Sequence, residues 1–210
     1  MKERSLPRYS KILPRIQFYS IKNDSTRYCD SELEAARLLL LEFDDEVKVY
    51  NTQPSSFSYK SYGKKLRYTP DIIIGHKQKG VYFEEVKVFE KLNSPKNIDK
   101  FKILQTLFNK ICEGGLSTIT EKDIHHGDKI ANLKKLYHYK SLALSKQCKL
   151  LMTQLPSTLT YSELIDWAEL NQCHLYDPMI LLANYYYSFD LTHLLNAKTI
   201  LDISDGTICI

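Results

Sequence analysis

Apolar positions along the chain recur with two periods, and the switches between them mark the elements. Asp30-Ser31-Glu32-Leu33-Glu34 opens a helical pattern running to about Glu42, with Asp30 or Ser31 as the N-cap. Three stretches with strand character follow: Val47 to Tyr59, interrupted by Pro54, then Leu66 to Ile74, then Val81 to Phe89. Turns at Tyr62-Gly63-Lys64 and from Gly75 to Gly80 are short enough for antiparallel hairpins. Helical spacing returns from Asn97 to Cys112 through Ile98, Phe101, Leu104, Leu107, Phe108 and Ile111, and Gly114-Gly115 ends it. Leu116 to Thr120 reads as one more strand, reached across a helix and therefore expected to run parallel to its neighbour.

The resulting order is α-β-β-β-α-β over residues 29–125. The polar stretch TEKDIHHGD then changes the texture and marks a boundary. Beyond it, residues 126–210 predict helices near 130–153, from Tyr161 to Asn171 behind a Thr160 cap, and from Pro178 to Tyr187. ILDIS-DG-TICI closes the chain with a hairpin signal. Short helices followed by a terminal hairpin suggest a small, mostly helical, winged-helix-like module. Residues 1–28 carry seven basic side chains against Glu3 and Asp24, with two prolines and little periodicity, and read as a basic N-terminal arm.

Composition narrows the class without changing this picture. Hydrophobic residues make up 43% and charged residues 26% of the 210, ordinary for a globular protein, which excludes disordered and fibrous classes. No apolar run approaches a membrane span, and the basic start is not followed by the apolar core of a secretion signal. The expected location is cytoplasmic. The five cysteines are dispersed and lack a C-x-x-C pair, so they read as reduced packing residues; the histidines show no zinc-ligand spacing.

Charge adds a division of labour. Residues 1–120 hold 21 basic and 15 acidic side chains, a net +6; residues 121–150 hold 7 and 3, a net +4; residues 151–210 hold 1 and 7, a net −6. The first two thirds suit a polyanion, and the last third suits a protein partner better, because like charge repels phosphate.

The candidate chemistry sits in RYTPDIIIGHKQKGVYFEEVKVFE, where acids and a lysine interrupt strands otherwise built for burial. Side chains alternate across a strand, so Glu85 and Lys87 share a face with Val81, Phe83 and Phe89, while Glu84 points the other way. Asp71 and Glu85 could ligate a hard divalent cation, Mg²⁺ or Mn²⁺, with the Val86 carbonyl as a further ligand and Lys87 beside the phosphate or attacking water. An exposed edge strand or a plain Asp71–Lys87 ion pair is the simpler alternative. Glu34 is open to two uses. Ser31-x-x-Glu34 matches a capping box, yet Glu34 projects within about 40° of Leu38 and Leu41, towards the apolar side from which a carboxylate could reach the site.

Glu34 on a first helix, then Pro70-Asp71, then Glu85-Val86-Lys87 in this element order resembles the PD-(D/E)xK nuclease superfamily. Within it, SELEAARLLLLEFDDEVKVYNTQP followed by YTPDIII and FEEVK resembles TnsA, the endonuclease subunit of heteromeric cut-and-paste transposases. The similarity spans roughly residues 25–125, and YSELIDWAEL with DLTHLLNAKTILDIS is more loosely similar to that family's C-terminal domain. The compact length is similar to members associated with CRISPR-guided transposons. The resemblance implies that Glu34, Asp71 and Glu85 bind metal, that Lys87 assists catalysis, and that Gln53 of the Gln53-Pro54 pair neighbours the active site. It also implies a restriction-endonuclease-like core, cleavage of double-stranded DNA at the 5′ ends of a transposon, and a bacterial, nucleoid-associated setting. The implied partners are a transposase subunit and an ATPase regulator. Glu85 departs from family members that carry glutamine there. Two other readings stand beside this one: a restriction or repair nuclease of the same superfamily, and a non-catalytic DNA-binding transposition adaptor.

Overall fold

Ser31 begins the first helix because its extended backbone and side-chain oxygen suit an N-cap: Oγ accepts from the Glu34 amide at 3.2 Å. The helix, α1 (Glu32–Glu42), buries Ala36, Leu38, Leu39 and Leu41. A computed structural model describes residues 15–61 and 63–204, and the chain divides after Ile124 into two compact units.

In the first unit, β3 (Val47–Thr52), β6 (Ile72–His76), β7 (Gly80–Val86) and β8 (Leu116–Ile119) form a four-stranded sheet in that spatial order. The β3–β6 and β6–β7 pairs are antiparallel, and β7–β8, joined across α3 (Pro95–Phe108), is parallel. Gly115 reverses the chain between α3 and β8 at φ +62°, where a Cβ would lie 2.1 Å from the Asn109 side chain. Two short helices complete this part, α2 (Phe89–Leu92) and α4 (Glu121–Ile124). The architecture is mixed α/β.

Two hairpins stand apart from that sheet. The stretch from Val47 to Tyr59 is not one interrupted strand. Gln53 turns through φ +46°, Pro54 offers no amide to a ladder, and the chain leaves the sheet to form β4 (Phe57–Ser61), paired with β5 (Lys64–Tyr68). The stretch from Leu66 to Ile74 divides likewise, with Pro70 and Asp71 between β5 and β6. Phe57, Tyr59 and Tyr68 turn one face of this hairpin towards an aromatic core of Phe83, Phe101 and Phe108.

The other hairpin lies in the sequence read as a basic arm. Residues 1–14 lie outside the described residues, but β1 (Ile16–Ser20) and β2 (Ser25–Cys29) pair in register. Its anchor is Glu42, which is fully buried at the end of α1. Glu42 accepts from the Ser20 and Tyr50 hydroxyls and, at 3.1 Å, from the Lys22 amide. A buried carboxylate needs such donors, so the hairpin is fastened to α1 and β3 by more than its own ladder.

The second unit contains α5 (Lys129–Tyr137), α6 (Lys146–Leu151), β9 (Thr158–Thr160), α7 (Tyr161–Leu170), α8 (Asp177–Ala183), β10 (Tyr187–Ser188) and β11 (Ile200–Ile203). Thr160 and Glu163 form a reciprocal cap on α7. Asp177 is fully buried and caps locally, accepting from the Ser145 amide at 2.9 Å, the Ser145 hydroxyl at 2.6 Å and the His174 amide at 2.7 Å. Ile200–Ile203 lies between β10 and β9 in an antiparallel sheet, and the hairpin expected at Asp205-Gly206 falls on residues outside the described ones. The helix read from Pro178 to Tyr187 ends at Ala183, and Tyr187 enters β10. Among the described residues no helix is long and apolar enough to cross a membrane.

Candidate metal and catalytic site

Asp71 is placed by its backbone before its side chain does anything. Its amide donates to the Glu84 carbonyl at 3.1 Å, and its carbonyl accepts from the Gln53 amide at 2.6 Å, which stitches the start of β6 between β7 and the end of β3. The carboxylate then accepts the Val86 amide through Oδ2 at 2.8 Å. That hydrogen bond favours the ionised form, as does Lys87, but burial and then the nearby charges of Glu85 and Glu34 outweigh them and push Asp71 up to about 8.

Glu85 is 6% exposed and engages two donors. Tyr68 donates its hydroxyl to Oε2 at 2.7 Å, and Lys87 donates Nζ to Oε1 at 2.9 Å. Lys87 follows the end of β7 but still extends the parallel ladder, its amide donating to the Ile119 carbonyl at 2.9 Å. Its ammonium also lies 5.6 Å from the Phe101 ring centre. The ion pair that forms is therefore Lys87 with Glu85.

Glu34 does cap the helix, in a form shifted by one residue. Oε2 accepts the Asp30 amide at 3.0 Å and Oε1 accepts the Ser31 hydroxyl at 2.9 Å. Burial raises its pKa, with hydrogen bonds opposing, and the charges of Asp30 and Glu85 raise it further. Capping and exposure to the field of the other acids are thus compatible. One donor per oxygen leaves a carboxylate with lone pairs to spare. Gln53 contributes its amide to Asp71 and turns its side chain to Asp30, with Nε2 to Oδ2 at 2.7 Å.

The other side of β7 has a different task. Glu84 is 2% exposed and receives both Nε and Nη2 of Arg37 at 2.7 Å, a bidentate pair between the sheet and α1. Adjacent acids thus divide: Glu84 holds the helix, and Glu85 faces Lys87.

Two residues here escaped sequence reasoning. Tyr68 looked like an ordinary alternating aromatic, and only its 17-residue reach to Glu85 gives it a polar role. Burial, then the Glu85 charge, pushes its hydroxyl well above the usual range, so it stays a donor. Lys100 sits among surface lysines of α3 in the sequence, yet its ammonium lies 5.0 Å from the Tyr68 and Phe101 ring centres and feels the charges of Glu85, Lys87 and Asp71. Burial lowers its pKa, against the pull of Glu85. A helix-period pattern could not announce either contact.

Three carboxylates and one backbone carbonyl are hard oxygen donors of the kind Mg²⁺ and Mn²⁺ take. Burial first, and then the charges of Glu85 and Glu34, raise Asp71. By residue type the donors suit such an ion, but among the described residues the three-ligand group drawn within 4.8 Å is Cys148, Cys173 and Asp177 in the second unit, not these carboxylates. If the chain cuts DNA and Tyr68 orients Glu85, Tyr68→Phe lowers the single-turnover rate about tenfold or more, in the range of lost outer-shell partners. Duplex affinity measured in EDTA stays unchanged; equal loss of both would make Tyr68 a packing residue only.

No curated protein matches the chain. Residues 44–111 match the family model described as TnsA-like endonuclease N terminal, a segment that contains Asp71, Glu85 and Lys87 and begins after Glu34.

Proposed function

We propose that this chain is a Mg²⁺-dependent endodeoxyribonuclease of the PD-(D/E)xK type, the subunit of a heteromeric cut-and-paste transposase that cuts at the 5′ ends of the element. The observation that carries the reading is the meeting of Asp71, held by the Val86 amide, with the Glu85–Lys87 ion pair on adjacent strands, within a segment similar to TnsA-like endonucleases. Asp71, Glu85, Glu34 and the Val86 carbonyl would hold the ion. When bound, it supplies an activated water and stabilises the leaving 3′ oxygen.

The chain's own groups do the rest. Tyr68 fixes one oxygen of Glu85, and the Val86 amide fixes one of Asp71, so the carboxylates are oriented before substrate arrives. Lys87, tied to Glu85 at rest, turns to the scissile phosphate or the attacking water and offsets the charge that develops there. Lys100 adds a second cation next to it, suited to a neighbouring phosphate. The products are a 3′-hydroxyl and a 5′-phosphate.

For the second unit we propose a winged-helix-like module that docks on the transposase subunit or the ATPase regulator. Short helices closed by a small antiparallel sheet support the fold, and the net −6 of residues 151–210 supports a protein partner over DNA. Leu170 and Leu175, 83% and 79% exposed, offer apolar anchors on that acidic background.

The direct test is cleavage of labelled transposon-end DNA with Mg²⁺ or EDTA, with and without partner proteins, mapping the cut strand. Cuts at the 5′ ends that need the partners support the reading. Specific cutting by the isolated chain would favour a restriction or repair enzyme.

A pH experiment tests the acid cluster without substrate. Asp71 titrates near 3.8 when unperturbed and near 8 in the folded protein, so between these values the folded state binds more protons than the unfolded chain. Its contribution to stability therefore falls as pH rises from about 4 to about 8. Urea titrations across that window should show the trend in EDTA, its absence in Asp71→Asn, and its weakening in Mg²⁺, because metal binding expels the same proton. An identical pH trend in Asp71→Asn would remove the cluster from the argument.

A further inference from the structure

Outside the catalytic cluster, the feature with the most to say is the β4–β5 hairpin. Its register puts Phe57 opposite Tyr68 and Tyr59 opposite Leu66, and these four share one face, directed to α3. Ser58 faces Arg67 and Lys60 faces Lys65 on the other side, and all four are exposed. Among the described residues, Lys60, Lys65 and Arg67 take part in no ion pair. A two-stranded ribbon thus carries three unpaired cations on one side and its structural anchor on the other.

The ribbon is also tied to the chemistry. Tyr68, its last residue, donates to Glu85, and Arg67 is four residues before Asp71, no more than about 14 Å along an extended chain. A cation-bearing ribbon at that distance from a cut phosphate matches the major groove of B-DNA, which is about 12 Å wide and admits a two-stranded ribbon. Lysine and arginine on adjacent strands then meet phosphates on the groove walls, and Arg67, nearest the site, can reach a guanine edge.

Resting on the nuclease reading for its substrate, we infer that β4–β5 is a groove-entering arm that lies in the major groove of duplex DNA beside the cleaved bond. It clamps the duplex and sets where the cut falls. The arm enters by its exposed Lys60, Lys65 and Arg67 side.

The test is run on the full chain with a short mixed-sequence DNA duplex in EDTA, so that no cleavage is needed. The variant Lys60→Ala/Lys65→Ala/Arg67→Ala is compared with wild type and with Lys77→Ala/Lys79→Ala, which removes cations from the β6–β7 turn. All substituted side chains are outside the core, and matching thermal melts check the folds. The two lost phosphate contacts of Lys60 and Lys65 should reduce the slope of log affinity against log salt by about 1.8, and with Arg67 gone binding should weaken at least tenfold, with the turn variant close to wild type. Wild type should protect guanine N7 from dimethyl sulfate, and the ribbon variant should not. An unchanged salt slope, or no N7 protection by wild type, overturns the inference. Asp71→Ala separates the two ideas: if it binds and protects as wild type does while no protein cuts DNA under any condition, the ribbon stands and the nuclease reading falls.

Discussion

Asp71→Ala is expected to abolish strand cleavage, by at least about a thousandfold in single-turnover rate, while leaving duplex binding in EDTA within a factor of about two. The size follows from where the residue sits. Its carboxylate joins those of Glu85 and Glu34 in one electrostatic cluster and is aimed by the Val86 amide, so no neighbour stands ready to replace it. Losing one preorganised donor from a site of charge stabilisation commonly costs a hundredfold to a thousandfold, and under the proposed reading Asp71 would also be lost as a ligand of the ion. Isothermal titration of Mn²⁺ into wild type and variant gives the complementary readout. Cleavage and Mn²⁺ binding that both survive Asp71→Ala would remove this residue from the site, and with it the role assigned to Lys87.

The second large effect is on stability. Arg37→Ala should destabilise the first unit by about 3 kcal/mol, read as a shift in the urea midpoint, because it leaves the Glu84 carboxylate buried with no counter-charge. Removing both partners, as in Arg37→Met/Glu84→Leu, should recover most of the loss, since a hydrophobic pair carries no desolvation cost. A double variant as unstable as Arg37→Ala would show that the pair acts through shape and not through charge.

The parts of this molecule that were legible in the sequence are those governed by local periodicity. Strand alternation separates Glu84 from Glu85, and the structure gives one to Arg37 and the other to Tyr68 and Lys87. Ser31 as an N-cap and the parallel pairing after α3 follow from equally local rules. What escaped depends on contacts between distant residues. Pro54 signals a break, but nothing nearby says that the chain beyond it joins a different sheet. Glu42 reads as the exposed end of a helix until Ser20, Lys22 and Tyr50 converge on it. The basic residues of the first 28 suggested an arm, and charge masked the alternation of Ile16, Phe18 and Ser20 that builds a hairpin.

That buried Glu42 bears on how the protein can be divided. The segment similar to known endonucleases starts at residue 44, directly after α1, but the piece that can keep its interior dry starts earlier. Cutting at the similarity boundary removes α1, and with it Glu34, Arg37 and the leucines that cover the sheet. Cutting between Cys29 and α1 instead strips the hairpin from Glu42 and takes away the Ser20 and Lys22 donors, leaving the buried carboxylate with the Tyr50 hydroxyl. Any exchange of this unit between related chains must therefore move the hairpin with the helix, as one inheritable block.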